Sequence, residues 1–365
     1  MTDRLVRPAV ARLKPYIPGK PIDEVKREFG LDDIIKLASN ENPLGPSPRA
    51  LQAMRLCLKD VRLYPDNECY HLKRKLSERF GFPTEQIHLG RGSDEVIHEI
   101  GLAFLEKGDE VLIPAYPFVL YEFTGTLMDA ELARVPFCNY RYDLEAMAER
   151  ITSRTKLAFI ANPNNPTGTI VTHDEVVRFL DRMGDQGIVV LDEAYYEYAE
   201  SADYPRSLEL VKEGRNVIVL RTFSKIYSLA GLRIGYGFAN PQLSAALAKV
   251  REPFNVSSVA QAAALASLED DYQVRRSVEM NRRGKKLLYR EFKRMGLKYV
   301  PSEANFVFFD SGRDAAKVFL ELMKRGVIVR HDPAFGYPTH LRVTVGSTAQ
   351  NQRFIAMLKE VLALS

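Results

Sequence analysis

An α/β protein in two parts, a large domain on a mostly parallel sheet between helices plus a smaller α+β domain, is what the sequence predicts. Three observations carry that expectation. The runs "KLAFI", "GIVVL" and "NVIVL" are apolar at consecutive rather than alternating positions, the pattern of strands covered on both faces by helices. From about 47 to 240 such runs alternate with helical patterns, as in successive strand–helix–strand units. At 365 residues the chain is also longer than one compact core usually supports.

Taken in order, "PSPRALQAMRLCLKD" opens with Ser-Pro, a helix-start signal, and keeps its apolar residues on one face. "SDEVIHEIGLAFLEKGDEVLIP" reads as a helix, a Gly-Asp turn and a strand. After "REPFNVSS" the alternation becomes less regular. A long helix over about 270–295 leads to "EANFVFFD", helix "AAKVFLELMKRG", strands "VIVR" and "LRVTVG", and a last helix "TAQNQRFIAMLKEVLAL". The basic run "NRRGKKLLYREFKR" within the long helix reads as its solvated face.

The composition, 46% hydrophobic and 27% charged, is that of an ordinary soluble domain. A formal charge of +4 is small for this length and calls for neither nucleic acid nor a membrane surface. The three cysteines, Cys57, Cys69 and Cys138, have no C-x-x-C spacing and fit a reducing compartment. The stretch "MTDRLVRPAVARLKPY" is charged throughout, without the apolar stretch of a secretion signal. No apolar run approaches the ~18 residues of a membrane span. A cytoplasmic location is expected, and no metal.

In open parallel sheets ligands bind beyond the carboxyl ends of the strands, so the residues after each aliphatic run matter most. "LAFI" is followed by Ala161 and "NPNNPTG", "IVVL" by "DEAYYEY" from Asp192, and "VIVL" by "RTFSK", ending at Lys225. Singly these are a turn, a helix cap and an exposed lysine. Together they deliver an amide, a carboxylate and an amine to one rim. A lysine kept from water or near cations becomes a nucleophile toward carbonyls. Arg233 nearby suits a phosphate, gripped bidentately. An aspartate at a buried strand end needs a cationic partner. Such a trio describes a site for pyridoxal phosphate.

The phosphate has a second expected ligand. In "LGRGSDEVIHEIGLAF", Gly92, Ser93 and Asp94 open a helix whose backbone N–H groups can hold an anion. The same stretch begins a dinucleotide pattern with Gly90 and Gly92, but Glu95 replaces the third glycine. In "PAYPFVLYEF", Tyr116 follows strand "EVLI", where its ring could stack on a flat cofactor.

"NPNNPTG", "DEAYYEY" and "RTFSKIYSLAGLRIGY", in this order and spacing, resemble the fold-type-I pyridoxal-phosphate aminotransferases. The resemblance runs from "IKLASNENPLGP" to "LRVTVG". With "LASNENPLGPSP", "YPD" and "RGSDE", it is nearest the histidinol-phosphate aminotransferase branch. The resemblance implies a seven-stranded, mostly parallel sheet. It implies an N-terminal arm over 1–45 joining the small domain and a dimer interface, a cofactor domain over 46–255 and a small domain over 256–365. By resemblance Lys225 condenses with the cofactor aldehyde and shuttles a proton. Asp192 faces the pyridine nitrogen, and Tyr195 and Asn165 reach the ring hydroxyl. Gly92, Ser93, Asp94, Thr222, Ser224 and Arg233 surround the phosphate, and Tyr116 stacks on the ring. Tyr64, in "LYPDN", resembles a tyrosine that reaches the cofactor phosphate of a neighbouring subunit, implying a homodimer with shared sites. Arg342 and Arg330 resemble the arginines that bind the substrate carboxylate or phosphate, with Tyr16 and Asn40 near the substrate.

The implied reaction is ping-pong transamination between L-glutamate and imidazole-acetol phosphate, giving 2-oxoglutarate and L-histidinol phosphate in histidine biosynthesis. "HDPAFGYPTH", between the two arginines, is also at home in aromatic amino-acid aminotransferases. Threonine-phosphate decarboxylase shares the cofactor residues. A cofactor fold without catalysis, used for binding, is disfavoured because every catalytic-type position is filled.

Overall fold

The computed structural model describes residues 5–16 and 19–363. Along the first part of the chain come α1 (Pro8–Arg12), α2 (Ile22–Phe29), β1 (Ile35–Lys36), α3 (Pro48–Cys57), α4 (Tyr70–Phe80), β2 (Ile87–Gly90), α5 (Ser93–Phe104), β3 (Glu110–Pro114), α6 (Val119–Leu127) and β4 (Glu131–Val135). Next are α7 (Leu144–Glu149), β5 (Thr155–Ala161), α8 (His173–Met183), β6 (Ile188–Asp192), α9 (Ser207–Lys212), β7 (Val217–Thr222), β8 (Gly235–Ala239), α10 (Pro241–Val250) and α11 (Ser258–Leu268). The remainder holds α12 (Asp271–Arg294), β9 (Lys298–Val300), β10 (Phe306–Asp310), α13 (Ala315–Lys324), β11 (Val327–Ile328), β12 (His340–Thr344) and α14 (Thr348–Ala363).

Local chemistry sets several of these boundaries. α3 starts where the Ser47 hydroxyl accepts from Ala50 N–H and Pro48 supplies a preset first turn. α8 starts with a reciprocal capping box between Thr172 and Glu175. α4 stops at Gly81, whose left-handed backbone ends the helix without a Cβ penalty.

Seven strands form the main sheet in the order β2-β8-β7-β6-β5-β3-β4. β8 alone runs against the others, between β2 and β7. The aliphatic runs become β5, β6 and β7, adjacent and parallel, with Ala161 level with Asp192 and Asp192 level with Leu220. Their side chains are almost wholly buried because helices cover both faces. β4, at the sheet edge, keeps exposed positions. Because β2, β3, β5, β6 and β7 share one direction, their carboxyl ends open on one rim.

A second, three-stranded antiparallel sheet, in the order β12-β10-β9, packs with α12, α13 and α14 around Phe292, Phe309 and Phe354. Leu37, from the early part of the chain, is buried in that second core. β1 pairs with β11 in a separate parallel ribbon. The expected strand "VIVR" is shorter than the sequence suggests. It ends at Ile328, and Arg330 instead exchanges two backbone hydrogen bonds of 2.9 Å with Arg342. Among the described residues no helix is long and apolar enough to cross a membrane.

Candidate active site

A cavity of about 340 Å³ lies over the rim, between the main sheet and the second core. It is lined from the sheet side by Asp192, Tyr195, Asn165 and Lys225, and from the other side by Arg330 and Arg342. Residues 39 and 40, between β1 and α3, close it from above.

At one end the chain builds an anion cradle. α5 begins at Ser93 directly after β2, and no side chain caps its first turn, so its N–H groups face the cavity uncommitted. Gly92 adopts φ +81, and a Cβ there would lie 2.7 Å from Arg233 Nη2. A Cβ on Gly235 would lie 2.4 Å from the Ser93 nitrogen. Both positions therefore require glycine for the helix start, β8 and Arg233 to converge. Arg233, with φ +52, donates to Asp94 at 2.8 Å and to the Ser224 hydroxyl at 3.4 Å. The Thr222 hydroxyl accepts from Ser224 N–H at 3.0 Å, folding the loop after β7 inward.

In the middle stands Asp192. Its carboxylate accepts from the Tyr121 hydroxyl at 2.7 Å and from Ala194 N–H at 3.2 Å. Burial pushes its pKa up to about 6, against the pull of the Tyr121 hydrogen bond, while the neighbouring Asp94 carboxylate raises it further. A buried carboxylate in this state gains by meeting a cation. Lys225 Nζ donates to the Ser39 carbonyl at 3.0 Å and lies 5.6 Å from the Tyr195 ring centre. The Tyr195 hydroxyl accepts from Asn40 Nδ2 at 3.0 Å.

At the far end Arg342 is buried. It donates to the Asn165 amide oxygen and the Ala38 carbonyl. Its Nε has no hydrogen-bond partner among the described residues. Burial and the nearby Arg330 lower its pKa to about 10, with burial the larger effect. Arg330 pairs with Asp332 at 2.5 Å. Tyr16 lines the same end and is largely exposed.

Of the expected residues, Gly92, Ser93, Asp94, Asn165, Asp192, Tyr195, Thr222, Ser224, Lys225, Arg233, Tyr16, Asn40, Arg330 and Arg342 all line the one cavity. Two do not. Tyr116, expected to stack on the cofactor, lies outside the lining. Its ring packs over Gly336, whose missing Cβ leaves the space, and lies 5.8 Å from the Tyr337 ring. Phe118, just before α6, stands in the cavity wall instead. Tyr64 is 83% exposed and stacks on Phe254 at 4.8 Å, away from the cavity.

The sequence reading also missed Tyr121 and the pair Arg221–Glu193. Tyr121 sits in the first turn of α6, stacked at 4.7 Å on Phe159, so that its hydroxyl meets Asp192. Its signal lay within "PAYPFVLYEF", where only the tyrosine nearer the strand was singled out. Arg221 donates twice to Glu193, at 2.9 and 2.8 Å, and pins the ends of β6 and β7 behind the cavity.

The residue pattern of the family "Aminotransferase class I and II" matches residues 32–358. This chain belongs to the class I and II aminotransferases. Among these aminotransferases, it is 51% identical to the histidinol-phosphate aminotransferase of Moorella thermoacetica, over 98% of this chain and 93% of that one. It is 47% identical to the histidinol-phosphate aminotransferase of Symbiobacterium thermophilum, over 98% of each. Its fold matches the crystal structure of the histidinol-phosphate aminotransferase of Sinorhizobium meliloti in complex with pyridoxal-5'-phosphate. That match has a TM-score of 0.91 at 29% identity and covers 99% of this chain and 98% of that one.

The cavity residues fit that cofactor. The glycine-walled cradle and free helix start suit a phosphate dianion. The buried carboxylate suits a protonated ring nitrogen, and the lysine amine suits an aldehyde.

Proposed function

We propose that this aminotransferase uses pyridoxal 5'-phosphate to exchange an amino group between L-glutamate and imidazole-acetol phosphate. The products are 2-oxoglutarate and L-histidinol phosphate, in histidine biosynthesis. Full-length relatives of that name at 47–51% identity support the substrate pair. The structural observation that carries the reading is Arg342. It is a buried guanidinium at the cavity end opposite the cradle. Among the described residues its Nε is unpartnered and its two hydrogen-bond acceptors are neutral. A buried cation of this kind is stabilised by an incoming anion, and each substrate carries a carboxylate or a phosphate.

When bound, pyridoxal phosphate supplies an aldehyde that condenses with amines and a cationic ring that draws electrons from the substrate carbon. Arg233, Ser224, Thr222 and the N–H groups of Ser93 and Asp94 would hold the phosphate. Asp192, oriented by Tyr121, would pair with the ring nitrogen and favour its protonated form. Asn165 has its oxygen committed to Arg342, which leaves its N–H for the ring hydroxyl, with the Tyr195 hydroxyl beside it. Phe118 and Ala194 wall the ring. Lys225 Nζ would take the proton from the substrate carbon and hold it for redelivery, and the second substrate reverses the sequence. Arg342 and Arg330 hold the substrate anion and orient that carbon toward Lys225.

A homodimer with shared sites belongs to the same proposal. Leu56, Leu58, Val61, Leu63, Tyr64 and Phe254 are all exposed, and Tyr64 stacks on Phe254, apolar surface of the kind a second copy would cover. On this reading Tyr64 serves the neighbouring subunit. The three unpaired cysteines fit a reducing, cytoplasmic setting.

The deciding experiment adds L-histidinol phosphate, L-phenylalanine, L-tyrosine or L-glutamate to the cofactor-loaded protein and follows cofactor absorbance through one half-reaction. Much faster conversion by histidinol phosphate than by either aromatic amino acid is expected. Faster conversion by phenylalanine or tyrosine would make the protein an aromatic aminotransferase.

A further inference from the structure

Outside the cavity, a tight turn carries a residue that its backbone disfavours. Cys138 and Arg141 exchange two backbone hydrogen bonds of 2.9 Å around Asn139 (φ +49) and Tyr140 (φ +65). Such a turn, with both central residues left-handed, ordinarily places glycine second. A tyrosine there is held at a conformational cost, and strain of this kind clusters where a side chain is needed.

The side chain makes a specific contact. The Tyr140 hydroxyl lies 3.1 Å from His340 Nε2, and His340 Nδ1 lies 3.2 Å from the Thr339 hydroxyl. With the proton on Nδ1, His340 donates to the Thr339 hydroxyl and its bare Nε2 accepts from Tyr140. Burial favours the neutral ring, with the Asp310 carboxylate opposing. The rings of Tyr337 and Phe308 pack around the pair, at 5.2 and 6.3 Å from Tyr140.

Behind Tyr140 the contacts return to the cavity. Its carbonyl accepts from Thr169 Oγ1 at 2.8 Å, Thr169 meets Thr167 at 2.8 Å, and Thr167 accepts from Asn164 Nδ2 at 2.8 Å. Asn164 adjoins Asn165, which accepts from Arg342. His340 and Arg342 lie two residues apart on β12 and so share a face. β12 is therefore held at two points, inside the cavity by the loop after β5 through Arg342 and outside it by the turn between β4 and α7 through His340, and the Thr169–Tyr140 hydrogen bond ties that turn to that loop.

We propose that the Tyr140–His340 contact is a positioning latch that fixes Arg342 against Asn165 and thereby sets the affinity of the site for substrate anions. The inference rests on the reading of Arg342 as the substrate grip. Neither Tyr140 nor His340 lines the cavity, so the latch acts through β12 rather than by touching substrate.

The test compares cofactor-loaded wild type, Tyr140→Phe, Tyr140→Gly and His340→Ala, with His340→Gln as a conservative variant that keeps an acceptor. Binding of 2-oxoglutarate is measured by calorimetry, KM and kcat for L-glutamate by assay, and thermal stability by melting. Tyr140→Phe is expected to weaken 2-oxoglutarate binding and raise KM roughly three- to tenfold, the scale of one hydrogen bond, with kcat kept. Tyr140→Gly is expected to do the same, with relief of the left-handed strain offsetting part of the ring packing it removes. The Tyr140→Phe/His340→Ala double variant should be no worse than the poorer single one, and His340→Gln should recover part of the loss. Unchanged KM and binding in Tyr140→Phe, or additive single effects, would overturn the latch. Failure of the wild type to bind 2-oxoglutarate would instead overturn the reading of Arg342.

Discussion

The two ends of the cavity hold anions by opposite constructions. The cradle around Gly92, Ser93, Thr222, Ser224 and Arg233 is made from the segments that follow β2 and β7, on either side of β8 in one sheet, and its geometry comes from backbone N–H groups and glycines that no side chain could replace. The far end is made from Asn40 and β12, whose contact Asn40 N–H to Thr344 joins residues 304 apart in the chain. There the grip is a side-chain guanidinium with a neutral, incomplete set of partners among the described residues. The first construction suits a ligand that stays, because fixed dipoles are preorganised. The second suits ligands that alternate, because Arg342 trades one anion for another without rebuilding its surroundings.

The largest expected effect lies between the two ends and would break the comparison altogether if absent. Lys225→Ala should lower transamination by roughly 10⁴-fold or more, as a lost proton-transfer group and nucleophile, with the protein still folded. Retention of the wild-type rate in a single-turnover assay would remove the central assignment. Arg342→Ala comes next. It should lower kcat/KM by about 2–5 kcal/mol of transition-state stabilisation, without rescue by added cofactor, and Arg342→Lys should recover little of it. Restoration of the rate by excess pyridoxal phosphate would show that the two ends are not separate.

Asp192→Asn tests the middle of the site through stability. The carboxyl titrates at about 6 in the folded chain against an ordinary value of 3.8. Its folded pKa is raised, so this group favours the folded state below about pH 4, and the contribution is lost as pH rises through 6. The cofactor-free Asp192→Asn variant should therefore be more stable than wild type at pH 7–8, on the order of 2–3 kcal/mol, with the gap closing toward pH 4. Denaturant melts at the two pH values check this, and a constant gap would contradict it. The smallest effect is at the cradle. Gly235→Ala pushes a methyl toward the Ser93 nitrogen and should weaken cofactor binding by about 1–3 kcal/mol, measured by equilibrium dialysis, while the KM for glutamate at saturating cofactor stays put.

The cradle was legible because its residues follow buried strands directly. Once "VIVL", "IVVL" and "LAFI" are recognised as three adjacent parallel strands, the polar residues after them share a rim. Tyr116 lies outside the cavity lining for a local reason. Being next after the strand is a poor guide where Pro117 follows, and Gly336, distant in sequence, offers the ring another seat. Phe118 and Tyr121, slightly further on, took the inner positions. The strand ending at Arg330 was overread because Arg330 pairs with β12 rather than continuing beside β1.

By itself the sequence determined the main sheet, the rim and the residues that reach it. Consecutive apolar residues cannot be satisfied except between two layers of helices, and the polar breaks after them must then emerge together. Only the tertiary structure decided which aromatic faces the cavity, that Tyr121 holds Asp192, and that Tyr140 and His340 meet behind Arg342. Those contacts join segments whose separation in the chain carries no periodic signal, and the meeting of Tyr140 with His340 exists only once the second core has packed against the first.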